Sequence, residues 1–149
     1  MEAIPYSRAR ADLADVFEAA IEHLPTRIDR RRAAPAVLIS LEDLKTLLAE
    51  FDFHPEVLFE TSAVGIWLPE LSIWGRGESF EDARADLLDE IDELLAQLAA
   101  SARLRAAPNV VERLPWIFRL MSVEEDDERL EMLFAETSTE PRALASART

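Results

Sequence analysis

The pattern of apolar positions changes character near residue 54. From Ala9 to Leu24 the residues Ala9, Leu13, Val16, Phe17, Ala20, Ile21 and Leu24 recur at three- and four-residue intervals, with Asp12, Asp15, Glu18 and Glu22 opposite. That period predicts an amphipathic helix from an N-cap at Ser7 to about Leu24, following a short extended piece, Ala3 to Tyr6. Pro25 ends it. Thr26 to Arg30 and Ala34 to Ser40 read as a hairpin, with Ile28 on one strand and Val37, Leu38 and Ile39 on the other. Ser40 then caps a second helix, Leu41 to Phe51, whose stripe is Leu41, Leu44, Leu47, Leu48 and Phe51, with Asp43 completing a near capping box.

Beyond His54-Pro55 the pattern turns to short extended runs: Glu56 to Glu60, Val64 to Leu68 and Ser72 to Gly77, with Phe59, Trp67 and Trp74 among them. Gly75 and Gly77 suggest a bend or bulge before the next element. Ser79 caps a long helix, with Asp82 at its third position and Ala83, Leu87, Leu88, Ile91, Leu94, Leu95 and Leu98 as its buried stripe. From Val110 to Met121 an aromatic-rich stretch is interrupted as a helix by Pro115. Ser122 to Glu125 reads as a capping box opening a helix to about Glu136, with acidic residues in its first turn. Thr137 onward has few large apolar residues and is expected to be disordered. The resulting fold class is α+β: a small module over residues 1–53, a sheet with a covering helix over 54–102, and a helical, acidic segment over 103–149.

Composition sharpens this picture through charge. The 149 residues are 49 % hydrophobic and carry a formal net charge of -14, so any nucleic-acid contact must come from a local basic patch. Residues 1–50 hold 7 basic and 9 acidic side chains, whereas residues 51–149 hold 9 and 21. With no cysteine, disulfides, thiolate metal sites and a cysteine nucleophile are excluded. The start, Met1-Glu2-Ala3, lacks signal-peptide regions and no stretch approaches a membrane span, so a cytoplasmic protein without membrane attachment is expected.

Three features bear on chemistry. The first is arginine: Arg8 and Arg10 fall in the first turn of the expected helix, where the dipole disfavours cations by roughly 0.3 to 1 kcal/mol, and Arg30-Arg31-Arg32 fall at the hairpin tip. Solvated arginines explain them as simply as an anion does. The second is carboxylate: Glu56, Glu60 and Glu70 near the strands are too few for two-metal chemistry, and Asp86, Asp89, Glu90 and Glu93 read as a solvated helix face. His23 and His54 are isolated, and no phosphate loop or catalytic triad is present, so neither catalysis, metal nor cofactor is expected. The third is the C-terminal apolar set Trp116, Ile117 and Phe118, with Leu130 and Phe134. It either completes the second module's core or forms a partner-binding arm flanked by acid.

Ile4-Pro5-Tyr6-Ser7 with Ala9-Arg10 and Leu13, then His23-Leu24-Pro25, a strand ending in Arg30, and Ala36 to Leu44 resemble the Phd/YefM (prevent-host-death) antitoxin family over about 45 residues. The resemblance implies a unit that dimerises through its strands and helices and holds operator DNA with helix and hairpin arginines. By position these are Arg10 and Arg30, with Arg8, Arg31 and Arg32 as phosphate neighbours. Trp67-Leu68-Pro69-Glu70-Leu71 and Gly75-Arg76-Gly77-Glu78-Ser79-Phe80-Glu81-Asp82-Ala83 are similar to the HicB-like antitoxin pattern. Together they imply a type II antitoxin: a homodimer that represses its own operon while its acidic remainder neutralises a cognate, RelE-like, mRNA-cleaving toxin. A dimeric scaffold that binds no DNA is the alternative.

Overall fold

In the computed structural model, which describes residues 1–135, the chain divides into two compact units, Met1–Ala49 and the part from Glu50 onward. The first opens with β1 (Glu2–Pro5), which pairs in parallel with β2 (Thr26–Asp29); β2 pairs antiparallel with β3 (Ala36–Leu38). A parallel pair needs a crossover, here made by α1 (Tyr6–Ala11) and α2 (Leu13–Ile21).

The expected single helix is therefore two. Asp12 leaves helical geometry at φ -110°, although its N–H still donates to the Arg8 carbonyl at 2.9 Å and its carbonyl accepts from Val16 at 3.0 Å. Aspartate competes poorly for helix interiors, which locates the break. The break also reverses the electrostatics of Arg8 and Arg10: they lie in the last turn of α1, at the end of the dipole that attracts cations.

α2 is closed off by His23, two residues past its end, whose N–H reaches the Ala20 carbonyl at a left-handed φ of 66° while Leu24 N–H reaches Ala19, a Schellman closure. Ser40 caps α3 (Leu41–Leu48), its Oγ accepting from Asp43 N–H at 3.1 Å. α3 stops short of Phe51, which belongs to the second unit. The buried core of the first unit is small: Ile4, Ala9 and Val16, with Ile28 and Leu38 packed against them. The bulky members of the helical stripes are outside it, Leu13, Phe17, Ile21, Leu24, Leu41 and Leu47 each being between 54 % and 63 % exposed.

The second unit is an antiparallel sheet of β4 (Glu56–Phe59), β5 (Val64–Leu68) and β6 (Ile73–Gly77), in that order. Strict alternation in β5 buries Val64, Ile66 and Leu68 and turns Gly65 and Trp67 to the other face. The buried face is covered by α4 (Phe80–Ala100), which Ser79 caps by accepting from Asp82 N–H at 3.1 Å. No bulge occurs at Gly75 or Gly77, which stay in regular register with Ile66 and Val64. They serve close approach instead: a Cβ on Gly75 would stand 2.4 Å from the Ala83 carbonyl oxygen, and one on Gly77 2.4 Å from Asp82 Cβ.

Four further helices follow: α5 (Ala102–Arg105), α6 (Pro108–Val111), α7 (Leu114–Met121) and α8 (Asp126–Phe134). Pro115 does not interrupt a helix; it sits in the first turn of α7, where its missing N–H has no helical partner to lose. Ser122 does not cap α8, since its hydroxyl donates back to the Arg119 carbonyl at 2.6 Å and Glu125 precedes the helix without a side-chain cap. Arg129 of α8 is buried, donates to the Val123 carbonyl at 3.1 Å and pairs with Asp92 of α4 at 2.5 Å. One core, running from Phe53 through Leu87, Ile91 and Ile117 to Phe134, joins the sheet, α4 and the later helices. The disorder expected from Thr137 onward lies outside the described residues.

Candidate functional site

Parallel pairing of β1 with β2 sets Pro5 beside Asp29, so the chain leaves both strands at the same end. Tyr6 begins α1 there and Arg30 begins the connection to β3. The Arg30 guanidinium lies over the Tyr6 ring, 5.3 Å from its centre. Arg31 and Arg32 continue the connection into solvent, and the turn closes with Ala33 N–H donating to the Arg30 carbonyl at 3.2 Å. Arg32 takes a left-handed φ of 60°, a place where glycine is the usual occupant.

Arg8 and Arg10 are exposed on α1, and Arg8 lies 3.7 Å from Asp12 across one turn. Both partners are mostly in water, so the pair holds Arg8 weakly and leaves its head able to exchange a carboxylate for another anion. Arg27, not singled out by the sequence pattern, is spent on Asp29 within the same strand, at 3.0 Å. The five arginines marked from sequence thus all reach solvent, and none is buried against a carboxylate.

The C-terminal apolar set has a different placement. Ile117 and Phe134 are buried in the core of the second unit, where Phe134 meets Phe80 edge to face with ring centres 5.7 Å apart. Trp116 is half-buried: its indole N–H donates to the Asp52 carbonyl at 2.9 Å and its ring meets Phe51 edge to face. Leu130 packs on the same core. Phe118 alone of the five is exposed, on the outer side of α7 near Met121 in sequence.

Two contacts escape any reading by spacing. The His23 ring places Nδ1 2.6 Å from Asp43 Oδ1, joining the end of α2 to the first turn of α3 across twenty positions. Hydrogen bonding to Asp43, then its charge, raises the His23 pKa above 6.5; the same hydrogen bond lowers that of Asp43 below 3.8. His54 lies against Glu70, with Nδ1 2.7 Å and the backbone N–H 2.9 Å from Glu70 Oε1. Both histidines are thus partnered by carboxylates rather than isolated. Among the described residues no group of three acidic or histidine side chains gathers to hold a metal ion, and no helix is long and apolar enough to cross a membrane.

The fold that carries these residues is also found among solved structures. The fold is similar to the crystal structure of a protein from Syntrophomonas wolfei subsp. wolfei described as an antitoxin part of a toxin/antitoxin system, with a TM-score of 0.75 at 19 % identity, covering 89 % of this chain and 96 % of that one. The sequence profile of the PHD_like family, described as antitoxins of RelE/RelB toxin–antitoxin systems, matches residues 1–135, and the chain belongs to that family. Among curated proteins, none matches it. As an antitoxin it has a cognate toxin for a partner.

Proposed function

We propose that this antitoxin is of the Phd/YefM kind, with a HicB-like second unit: a cytoplasmic homodimer that represses its own operon through Arg8, Arg10, Arg30, Arg31 and Arg32 and neutralises a RelE-like, mRNA-cleaving toxin with its acidic remainder. The observation that carries the repressor reading is the placement of Arg30, stacked, where β1 and β2 end together, on Tyr6, the residue that opens the helix bearing the exposed Arg8 and Arg10. Stacking on tyrosine fixes the direction of a guanidinium that otherwise has no anchor, which suits it to a phosphate or a base edge. Homodimerisation is supported by the same unit's apolar surplus. Its core cluster is three buried residues, with Ala20 and Leu48 buried beside them, too few for a free-standing fold of this size, while five bulky side chains on α2 and α3, and Leu24 just after α2, face water.

The acidic remainder supplies the other half. A toxin that cleaves mRNA presents a basic surface to its substrate, and an acidic chain competes for it with steered association. We assign Phe118, exposed on α7 together with Met121, to the contact with such a partner, and Trp116, Ile117, Leu130 and Phe134 to holding the helices that present it.

A mobility-shift titration on the chain's own upstream DNA at two salt concentrations tests the repressor. Arg10→Ala and Arg30→Ala should each weaken binding and flatten the dependence of log K on log salt by about 0.9 for every phosphate that the variant no longer neutralises. Unchanged affinity and slope in both variants would leave the DNA-free scaffold as the better account. For the toxin arm, co-expression with the adjacent reading frame should yield a co-purifying basic protein and relief of its toxicity.

A further inference from the structure

One face of the β4–β5–β6 sheet packs on α4; the opposite face carries side chains unusual for so acidic a unit. Register places Glu56, Trp67 and Trp74 in one row across it and Leu58, Gly65 and Arg76 in the next. The two tryptophan rings lie 4.9 Å apart at 39°, both half-buried, and the Arg76 guanidinium sits 5.6 Å from the centre of the Trp74 ring. Between Leu58, Trp74 and Arg76, with Glu60 at the β4 border, is a hollow of about 300 Å³.

Gly65 keeps that hollow open. Its φ is not left-handed, and an added Cβ would only touch Trp74, at 3.4 Å, an ordinary van der Waals distance. Neither the backbone nor the core therefore requires glycine here, in contrast to Gly75. Two indole faces bordered by the exposed carboxylates of Glu56 and Glu60 suit a flat cation, because the ring quadrupole and the carboxylates attract the same charge. Arg76 shows that a guanidinium fits over Trp74. Nucleobases also stack on tryptophan, but residues 51–149 carry 21 acidic against 9 basic side chains, and on this face Glu60 in the hollow and Glu56 beside it on β4 outnumber the one cation, Arg76, which is already engaged with Trp74.

We propose that this face docks an arginine-bearing, cationic segment of a partner protein, with one guanidinium in the Gly65 hollow against Trp74 and within reach of Glu60. The inference rests on the reading that the acidic unit neutralises a basic toxin, and it names the surface and the chemistry by which it does so. It adds a second surface to the one that Phe118 offers on α7, where the other C-terminal aromatics are committed to the core.

The test titrates the intact chain with hexa-arginine, hexa-lysine and an oligothymidylate while following tryptophan fluorescence. Hexa-arginine should bind saturably and more tightly than hexa-lysine, with binding weakened at least about tenfold by Gly65→Val, which fills the hollow, and by Glu56→Lys/Glu60→Lys, which reverses its border. The charge reversal lies at exposed positions, one on the edge strand β4 and one just past its end, so it remains informative even where Gly65→Val fails to fold by circular dichroism. Equal binding of the two peptides, equal binding by the charge-reversed variant, or tighter binding of the oligothymidylate would overturn the proposal. Co-purification of the same variants with the toxin separates the two readings. A wild-type chain that takes hexa-arginine but no toxin sinks the toxin reading alone. Variants that lose the peptide discrimination yet retain toxin as well as wild type sink the docking face alone.

Discussion

Gly75 matters for what it lacks. A Cβ there would stand 2.4 Å from the Ala83 carbonyl oxygen, 2.6 Å from Leu87 Cβ and 2.8 Å from Leu87 N, and both of those helix residues are fully buried. The clash is with backbone, so relief requires α4 to move off the sheet. Gly75→Ala should lower stability by about 1–3 kcal/mol in urea unfolding, the usual cost of overpacking, whereas Gly65→Ala should change it by less than about 0.5 kcal/mol. The glycines were visible in the sequence as a local irregularity, but their reason was not. Glycine looks alike in sequence whether it bends a strand or admits a helix, and the difference depends on which face α4 covers. Arg32 is the converse case, a left-handed residue with no glycine to advertise it.

Single elements were most legible where local chemistry sets their limits. Ser40 and Ser79 stand as caps because serine followed three positions later by aspartate satisfies helix N–H groups from within the sequence. The strands β5 and β6 follow from alternation and turn residues alone. Three features followed no spacing rule. Asp12 breaks a helix whose apolar stripe runs on through it, Ser122 turns its hydroxyl back to Arg119, and β1 finds a parallel neighbour more than twenty positions away. The candidate site divides similarly: solvent exposure of the arginines could be anticipated from charge, while the stacking of Arg30 on Tyr6 required the crossover to form.

The junction of α2 with α3 carries a pH dependence of its own. Because His23 titrates above its ordinary 6.5, its contribution is complete below that value and is lost as pH rises through the raised pKa. Because Asp43 titrates below 3.8, its contribution is complete above that value and is lost as pH falls through the lowered one. Both are complete together between 3.8 and 6.5. Asparagine also accepts a left-handed backbone, so His23→Asn removes the ion pair while preserving the turn. The difference in melting temperature between wild type and this variant should be largest inside that window and shrink on either side, as followed by thermal denaturation at several pH values.

At the scale of the whole molecule the two units solve the burial problem differently. The second closes its own core from Phe53 to Phe134, whereas the first leaves the Leu13, Phe17 and Ile21 face of α2, and Leu24 after it, in water. Phe17→Glu places a charge at the middle of that face without touching the buried Ala9, Val16 or Ala20. Under the homodimer reading it should convert the particle to a monomer in sedimentation equilibrium and weaken operator binding steeply, since each monomer then brings one arginine group instead of two. A variant that remains dimeric would place the contact elsewhere. The helical hydrophobic periodicity announced this face but could not say whether it is closed by the chain itself or by another molecule, because the pattern is identical in both cases.

The continuity of the second unit's core has a consequence for the lifetime of the protein. Ile117, Leu120 and Leu133 belong to the same buried cluster as Ile66, Leu68 and Leu87, so detaching α7 and α8 exposes the core that they share with the sheet and α4. A protease that must grip an extended stretch between Phe53 and Phe134 has to wait for cooperative opening of the entire unit. Turnover through that region is then governed by its unfolding equilibrium, and anything that stabilises the folded unit, a bound toxin included, lengthens the wait in proportion.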